Sequence, residues 1–468
     1  MHKLEFTLRQ HTPLIHFQHI QDGATLRATE VKPKLDRFLI DKLKKNNQFD
    51  ERWLLGDESK ASLDYKLFIY PHDDSHEENI GIELYNAGNR NRNREAIPLV
   101  LANMGVQARD RKYKRLVLYG NSKNTGEILI EIFSFHNDLL NRIKEHFADF
   151  IFRNNFGNRQ TKGFGAFYVH ENDEIFKNPS SKYWFSVDLS QQASNEEKIK
   201  RVFEHIHLLW KAFRSGLNDG CRDKNTQEFK TTFYFKSLIF AYAKSKNIQW
   251  EKKTIKNHIF MDKLEEQKER KKNIVRSPNR QISDKEFNKE FPLFFESSTK
   301  YLMKDMLGLA SEEEWIAEYD DKLIKKHVKK SENDSETVWI VPKEDEKIER
   351  YPSPVTFKPI FDENKNICKI FIFIKPMPQE MREQWFEIRN NAGDKLQLQI
   401  PKSEVANLTD FFLFLFDKQN GKYHFDLPNH VENLYKTPFD RGKRKNVDHP
   451  KRIVINRIIN EIRSNYNK

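Results

Sequence analysis

The sequence predicts an α+β protein of two successive modules, on three observations. Residues 3–8 alternate polar and apolar side chains, the period of a strand with one buried face. Residues 137–152 place Leu139, Leu140, Ile143, Phe147 and Ile151 on one helical face, with Asn137 or Asp138 ready to cap the first turn. A second alternating stretch at 183–189 leads into a helical pattern at 196–215, so the opening strand-then-helix order comes round again. Strands and helices mixed in this order make an α+β fold.

The first module, residues 1–179, starts with the strand at Lys3. Residues 24–46 begin irregularly and turn helical where Leu35, Phe38, Leu39 and Leu43 recur at spacings of three and four. Strands are predicted at 65–70, 80–85, 115–118 and 128–133, followed by the helix at 137–152, a Gly-rich turn and a closing strand at 165–170. The second module, residues 180–468, has its helix stripe in Ile199, Val202, Phe203, Ile206, Leu209, Trp210 and Phe213. Composition shifts at about 220–345, which reads as a helical insertion. Residues 233–243 are aromatic and helical, 263–272 carry charges of both signs as a solvated helix face does, and further helices are predicted at 284–291, 301–309 and 312–329. Strands resume at 338–341, 355–361 and 367–374, then a helix at 402–416 and a basic tail.

Lys and Arg outnumber Asp and Glu by 81 to 69, a net charge of +12, which concentrates polyanions near the surface. Aromatic residues reach 13% of the 468 residues, 37 of them Phe, a profile produced both by aromatic cores and by surfaces that stack bases. Two cysteines, Cys221 and Cys368, exclude a disulfide framework and a cysteine zinc site. Without an apolar run near 18 residues or an apolar leader, no membrane span is expected, and the expected location is cytoplasmic.

The stretch 155–169, NFGNRQTKGFGAFYV, is the most informative. Gly157, Gly163 and Gly165 free the backbone for close approach to a bulky ligand, while Arg159 and Lys162 bring positive charge to the same place. Successive backbone N–H groups in such a loop make a concave anion site. The loop follows a helix and precedes a strand, the reverse of a dinucleotide fingerprint or phosphate loop. A plain Gly-rich turn with two exposed cations fits the same pattern. Other cations cluster at Arg90, Arg92 and Arg94, at Arg109, Arg111, Lys112, Lys114 and Arg115, and in the tail at Arg441, Lys443, Arg444, Lys445, Lys451 and Arg452. Clusters on loops can follow a phosphate backbone without reading sequence, and they can equally be solvated surface.

The basic, glycine-rich loop ending in Gly163-Phe164-Gly165 resembles that of the RAMP superfamily of CRISPR RNA-binding proteins. So does the opening, Thr12-Pro13-Leu14 followed by Gly23, Leu26, Arg27, Ala28, Lys32 and Phe38. Leu307-Gly308-Leu309, Ile348-Glu349-Arg350, Ser353-Pro354 and Phe357-Lys358-Pro359 are similar to the second half of two-module subunits of type III-B effector complexes. Leu39 and Ile40 stand where the family usually has an aromatic pair. The resemblance covers short motifs in both halves and leaves the 220–345 insert outside it. It implies two tandem ferredoxin-like (RRM-like) modules and a non-catalytic, RNA-binding role in antiviral defence. The subunit would cap an RNA-guided filament, with guide RNA (crRNA), target RNA and other subunits as partners. Arg159, Lys162 and the three glycines are expected at the guide, with Arg27, Lys32 and Lys34 opposite them.

Two other readings stand beside this one. A guide-processing endoribonuclease of the same superfamily would use one of His11, His16 or His19 as a general base. A protein-only scaffold would use its charge to balance acidic neighbours. The acidic loop at 72–77 reads as a solvated turn rather than a metal site, and His205 and His207 read as histidines beside a core stripe. No cofactor, metal or catalytic set is expected.

Overall fold

A computed structural model describes residues 1–15, 26–56, 62–71, 76–83, 113–120, 128–222, 229–251, 254–255, 301–309, 312–316, 335–342, 351–389, 395–417 and 450–467. The chain is mixed helix and sheet, and every paired strand is antiparallel.

In the first half, β1 (His2–Gln10), β2 (Lys66–Pro71), β5 (Ile128–Ser134) and β6 (Phe167–Val169) form one sheet in the order β2-β5-β1-β6. Helices α1 (Ala28–Lys45) and α2 (Asn137–Arg153) cover its inner face, so the chain runs β-α-β-β-α-β around this sheet. Strict alternation on β5, with Ile128, Ile130 and Ile132 buried, is what the sequence period requires. These side chains meet Leu35 and Leu39 of α1 and Ile143, Phe147 and Phe150 of α2, and Phe6 stacks on Phe147 at 4.2 Å. Burying a side chain of this size stabilises by about 1.5–3 kcal/mol. Between β2 and β5 lies a hairpin, β3 (His76–Glu83) with β4 (Tyr113–Gly120).

The second half begins with β7 (Trp184–Asp188), which joins β12 (Val355–Asp362) and β13 (Ile367–Ile374) in a sheet ordered β12-β13-β7. One face packs on α3 (Asn195–Arg214), α5 (Leu408–Phe416) and α6 (Pro450–Tyr466). The other face carries Trp184, Ile360, Phe371 and Phe373 into the core of the first half, where Phe152 meets Phe371 at 4.9 Å and Phe373 at 5.0 Å. β12 is therefore buried on both faces from Val355 to Ile360, the polar Thr356 and Lys358 included.

In the region 220–345 the helices expected at 263–272 and 284–291 lie outside the described residues, and the part that is described contains strands as well as helix. Among its described residues are strands β8 (Leu217–Arg222), β9 (Phe229–Phe235), β10 (Glu312–Ile316) and β11 (Ser335–Pro342), with the helix α4 (Leu238–Ser245) and further helical residues at Glu251, Thr254 and Ile255. β8 and β9 form a hairpin. β10 and β11 belong to a sheet ordered β10-β11-β14-β15, completed by β14 (Trp385–Arg389) and β15 (Lys395–Gln399) from beyond the insert. The expected helix at 301–309 is only a 3₁₀ turn, Lys304–Leu307, and the expected helix at 312–329 starts as β10. The expected tail begins a further helix, α6, whose Ile455, Ile458, Ile459 and Ile462 are core residues.

Candidate nucleic-acid interface

The glycine loop runs from the end of α2 to β6, around a 3₁₀ turn at Gln160–Lys162. Its backbone is tied mostly to protein. Gly157 N–H donates to Glu30 Oε1 at 2.7 Å, Asn158 N–H to Ile15 O at 2.7 Å and Gly165 N–H to Pro13 O at 2.9 Å. Thr12 Oγ1 donates to Gly163 O at 2.6 Å and accepts from Ala166 N–H at 2.9 Å. Asn155 Nδ2 donates to Gln160 O and, across to β12, to Phe357 O, both at 2.7 Å. The Thr12-Pro13-Leu14 motif and the loop thus form one knot, and β12 closes it.

The glycines serve that knot. Gly163 sits at φ +91°, and an added Cβ would lie 2.9 Å from Ile206 Cδ1 and 3.1 Å from Pro359 Cγ. Gly165 sits at φ +62°, where a Cβ would overlap the Phe156 carbonyl oxygen. What forbids a larger side chain here is neighbouring protein together with a left-handed backbone. The expectation that the glycines clear a path for a ligand is replaced by this packing reason.

The two cations of the loop behave differently. Arg159 adopts a left-handed backbone at φ +56° and is half-buried, and burial pulls its guanidinium down to about 10. Lys162 Nζ lies 2.9 Å from the centroid of the Trp210 ring and has no hydrogen-bond acceptor among the described residues. Burial first, then Arg214 and Arg159, push its ammonium well below the ordinary lysine range. Arg214 is itself held by Asp305 Oδ1 at 3.0 Å and Gly308 O at 3.1 Å. His207, on α3, is lowered to about 4 by burial and then by Lys211, Lys162 and Lys451. A cationic patch thus joins the loop, α3 and the first turn of α6.

Of the residues expected opposite the loop, Lys34 reaches it. Its Nζ donates to Gln160 Oε1 at 3.0 Å, Asn155 O at 3.2 Å and Glu30 Oε1 at 3.0 Å. Lys32 turns away, donating to Asp36 Oδ2 at 2.8 Å and Leu63 O at 2.9 Å while lying over the Tyr65 ring. Arg27 is exposed at the start of α1. Arg90, Arg92, Arg94, Arg109, Arg111, His16 and His19 lie outside the described residues. The sequence reading missed Lys211 and His207 as neighbours of the loop. Their spacing of one helical turn on α3, flanking Trp210, was the available signal.

Lys358, on β12, is fully buried, and its Nζ donates to Ile151 O at 2.7 Å, Asn154 O at 2.7 Å and Phe167 O at 2.6 Å. Burial, then Lys34, push it downward. Three carbonyl acceptors around one nitrogen need all three hydrogens of an ammonium, so the geometry keeps it charged. Two of these carbonyls close α2, where the helix dipole favours a cation.

Two family models match this chain. The Cmr1 N-terminal domain matches residues 1–217, and the Cmr1 C-terminal domain matches residues 234–437. The chain belongs to the Cmr1 family. Cmr1 proteins are RAMP-like subunits of the multi-subunit type III-B Cmr effector complex of CRISPR systems. No curated protein matches the chain. Among solved structures, the apo form of Cmr1 from Pyrococcus furiosus is similar over 81% of this chain and 89% of that chain, at 11% identity and a TM-score of 0.27. His11 is buried, and its Nδ1 accepts the Phe361 N–H at 3.1 Å. Among the described residues no group of three His, Cys, Asp or Glu could hold a metal ion, and no helix is long and apolar enough to cross a membrane.

Proposed function

We propose that this chain is a non-catalytic, cytoplasmic, RNA-binding subunit at the head of a type III-B effector filament. There it holds the 3′ region of the guide RNA (crRNA) and the target RNA facing it, in antiviral defence. One observation carries the reading: the Lys162 amine, buried against the Trp210 ring with no hydrogen-bond acceptor among the described residues, stands beside Arg159 and the Lys211 and Lys451 side of α3 and α6. Burial and the neighbouring arginines disfavour its ammonium form, and an arriving phosphate would restore that form and hold it through charge-assisted hydrogen bonds. The β-α-β-β-α-β order of the first half, with sheet order β2-β5-β1-β6, supports reading it as a ferredoxin-like module. The order β7-α3-β12-β13-α5 supports reading the second half as another.

The test is filter binding of single-stranded RNA between 50 and 500 mM salt (roughly the range over which phosphate contacts dominate). Lys162→Ala and Arg159→Ala are each expected to weaken binding about fivefold to tenfold, about 1–1.4 kcal/mol. Each should also flatten the log–log salt slope by about 0.7 per lost phosphate contact. Unchanged affinity and slope in both variants would remove the loop from the RNA path.

A further inference from the structure

The outer face of the first sheet, opposite α1 and α2, carries apolar side chains that no described residue covers. Phe68 on β2 is 49% exposed and Tyr70 36%, and Phe135, where β5 ends, is 74% exposed. Phe68 meets Phe133 of β5 edge-on at 5.8 Å, so the exposed rings continue into a shared patch. The inner face of the same strands is filled by Ile130 and Ile132, so core packing does not explain these outward rings.

The charged groups on this face decide what it fits. Lys3 pairs with both Glu5 and Glu131, and the Tyr70 hydroxyl donates to Glu131, which raises that phenol to about 12. Around the rings Lys3 and Lys66 cancel Glu5 and Glu131, and Arg9 farther along β1 adds a single charge, so the face is nearly neutral on a chain of net charge +12. Polyanion binding needs unpaired cations in a row, and here carboxylates sit among the rings. Aromatic residues within a neutral field are instead what buried protein interfaces enrich.

We infer that this sheet face docks a neighbouring protein subunit of the effector complex, one presenting an apolar surface of low charge. The inference goes beyond RNA binding and uses a different face from the glycine loop; it rests on membership of a multi-subunit complex.

The experiment places a photo-crosslinking amino acid at position 68 in the full chain. The chain is assembled with the other complex subunits and guide RNA, and irradiated. A crosslink to one protein subunit is the expected result. A crosslink to RNA, a crosslink to a second copy of this chain, or none would each overturn the inference. In parallel, the double variant Phe68→Glu, Phe135→Glu should lower incorporation into the complex at least tenfold, with its melting temperature unchanged. Its filter binding to single-stranded RNA should stay within twofold. Normal incorporation would also overturn the docking face. The RNA reading has its own test in Lys162→Ala, so the two can fail separately.

Discussion

At the scale of single residues, buried charge does more than exposed charge. Lys358 joins the halves by holding three carbonyl oxygens, so Lys358→Met, similar in length but without donors, should destabilise by about 3 kcal/mol. Differential scanning calorimetry would read this as a clear drop in melting temperature, and an unchanged transition would show the contacts to be idle. Gly163→Val and Gly165→Val should lower the melting temperature before any RNA effect is seen, since both meet protein and a left-handed backbone. Valine variants that melt like the wild type would contradict that packing. Much of this is legible as motif: Thr12, the three glycines and Phe357-Lys358-Pro359 all stand in motifs of the sequence, and they meet in one knot. The sequence did not reveal that they meet each other. A glycine at positive φ against a carbonyl and one against a ligand are written with the same letter.

At the scale of elements, the strongly periodic pieces fold as their spacing prescribes, whereas the acidic run at Glu312–Ile316 does not form the helix expected of it. β1, β5, α2 and α3 bury the stripes their spacing prescribes. Glu312 to Ile316 reads helical from its acidic run, yet it pairs along β11 with Trp315 opposite Glu336. Cross-strand pairing here overrides local propensity, and that is invisible in a short window. The consequence is measurable. Removing 220–345 would take β10 and β11 from β14, and α4 with its buried Leu238, Ile239 and Tyr242 from the main core. Such a deletion should lose cooperative thermal unfolding. A sharp transition and intact RNA binding would restore the peripheral insert that the composition implied.

At the scale of the whole molecule, burial of neutral imidazoles sets an acid limit. His205 and His207 are held to about 4 and His11 well below 6.5, in each case mainly by burial. Their folded values lie below the unfolded one, so as pH falls the unfolded chain binds protons first. Their contribution is present above about pH 6.5 and is lost towards pH 4. Glu251, pushed up to about 8 by burial, works in the opposite direction, but it is one group against three. The melting temperature should therefore fall between pH 7 and pH 4.5 at constant ionic strength (about the span of these titrations); a flat or rising curve would refute it. β12 carries a different consequence, for synthesis. It is shared by both cores, and Lys358 closes a helix that ends at Arg153, some 200 residues earlier. A ribosome adding about 5–20 residues per second leaves the newly made first half with its seam open for roughly 10–40 s. Throughout that time Phe152 and the last carbonyls of α2 await a strand not yet translated, and a chaperone that shields them would have a defined window in which to act.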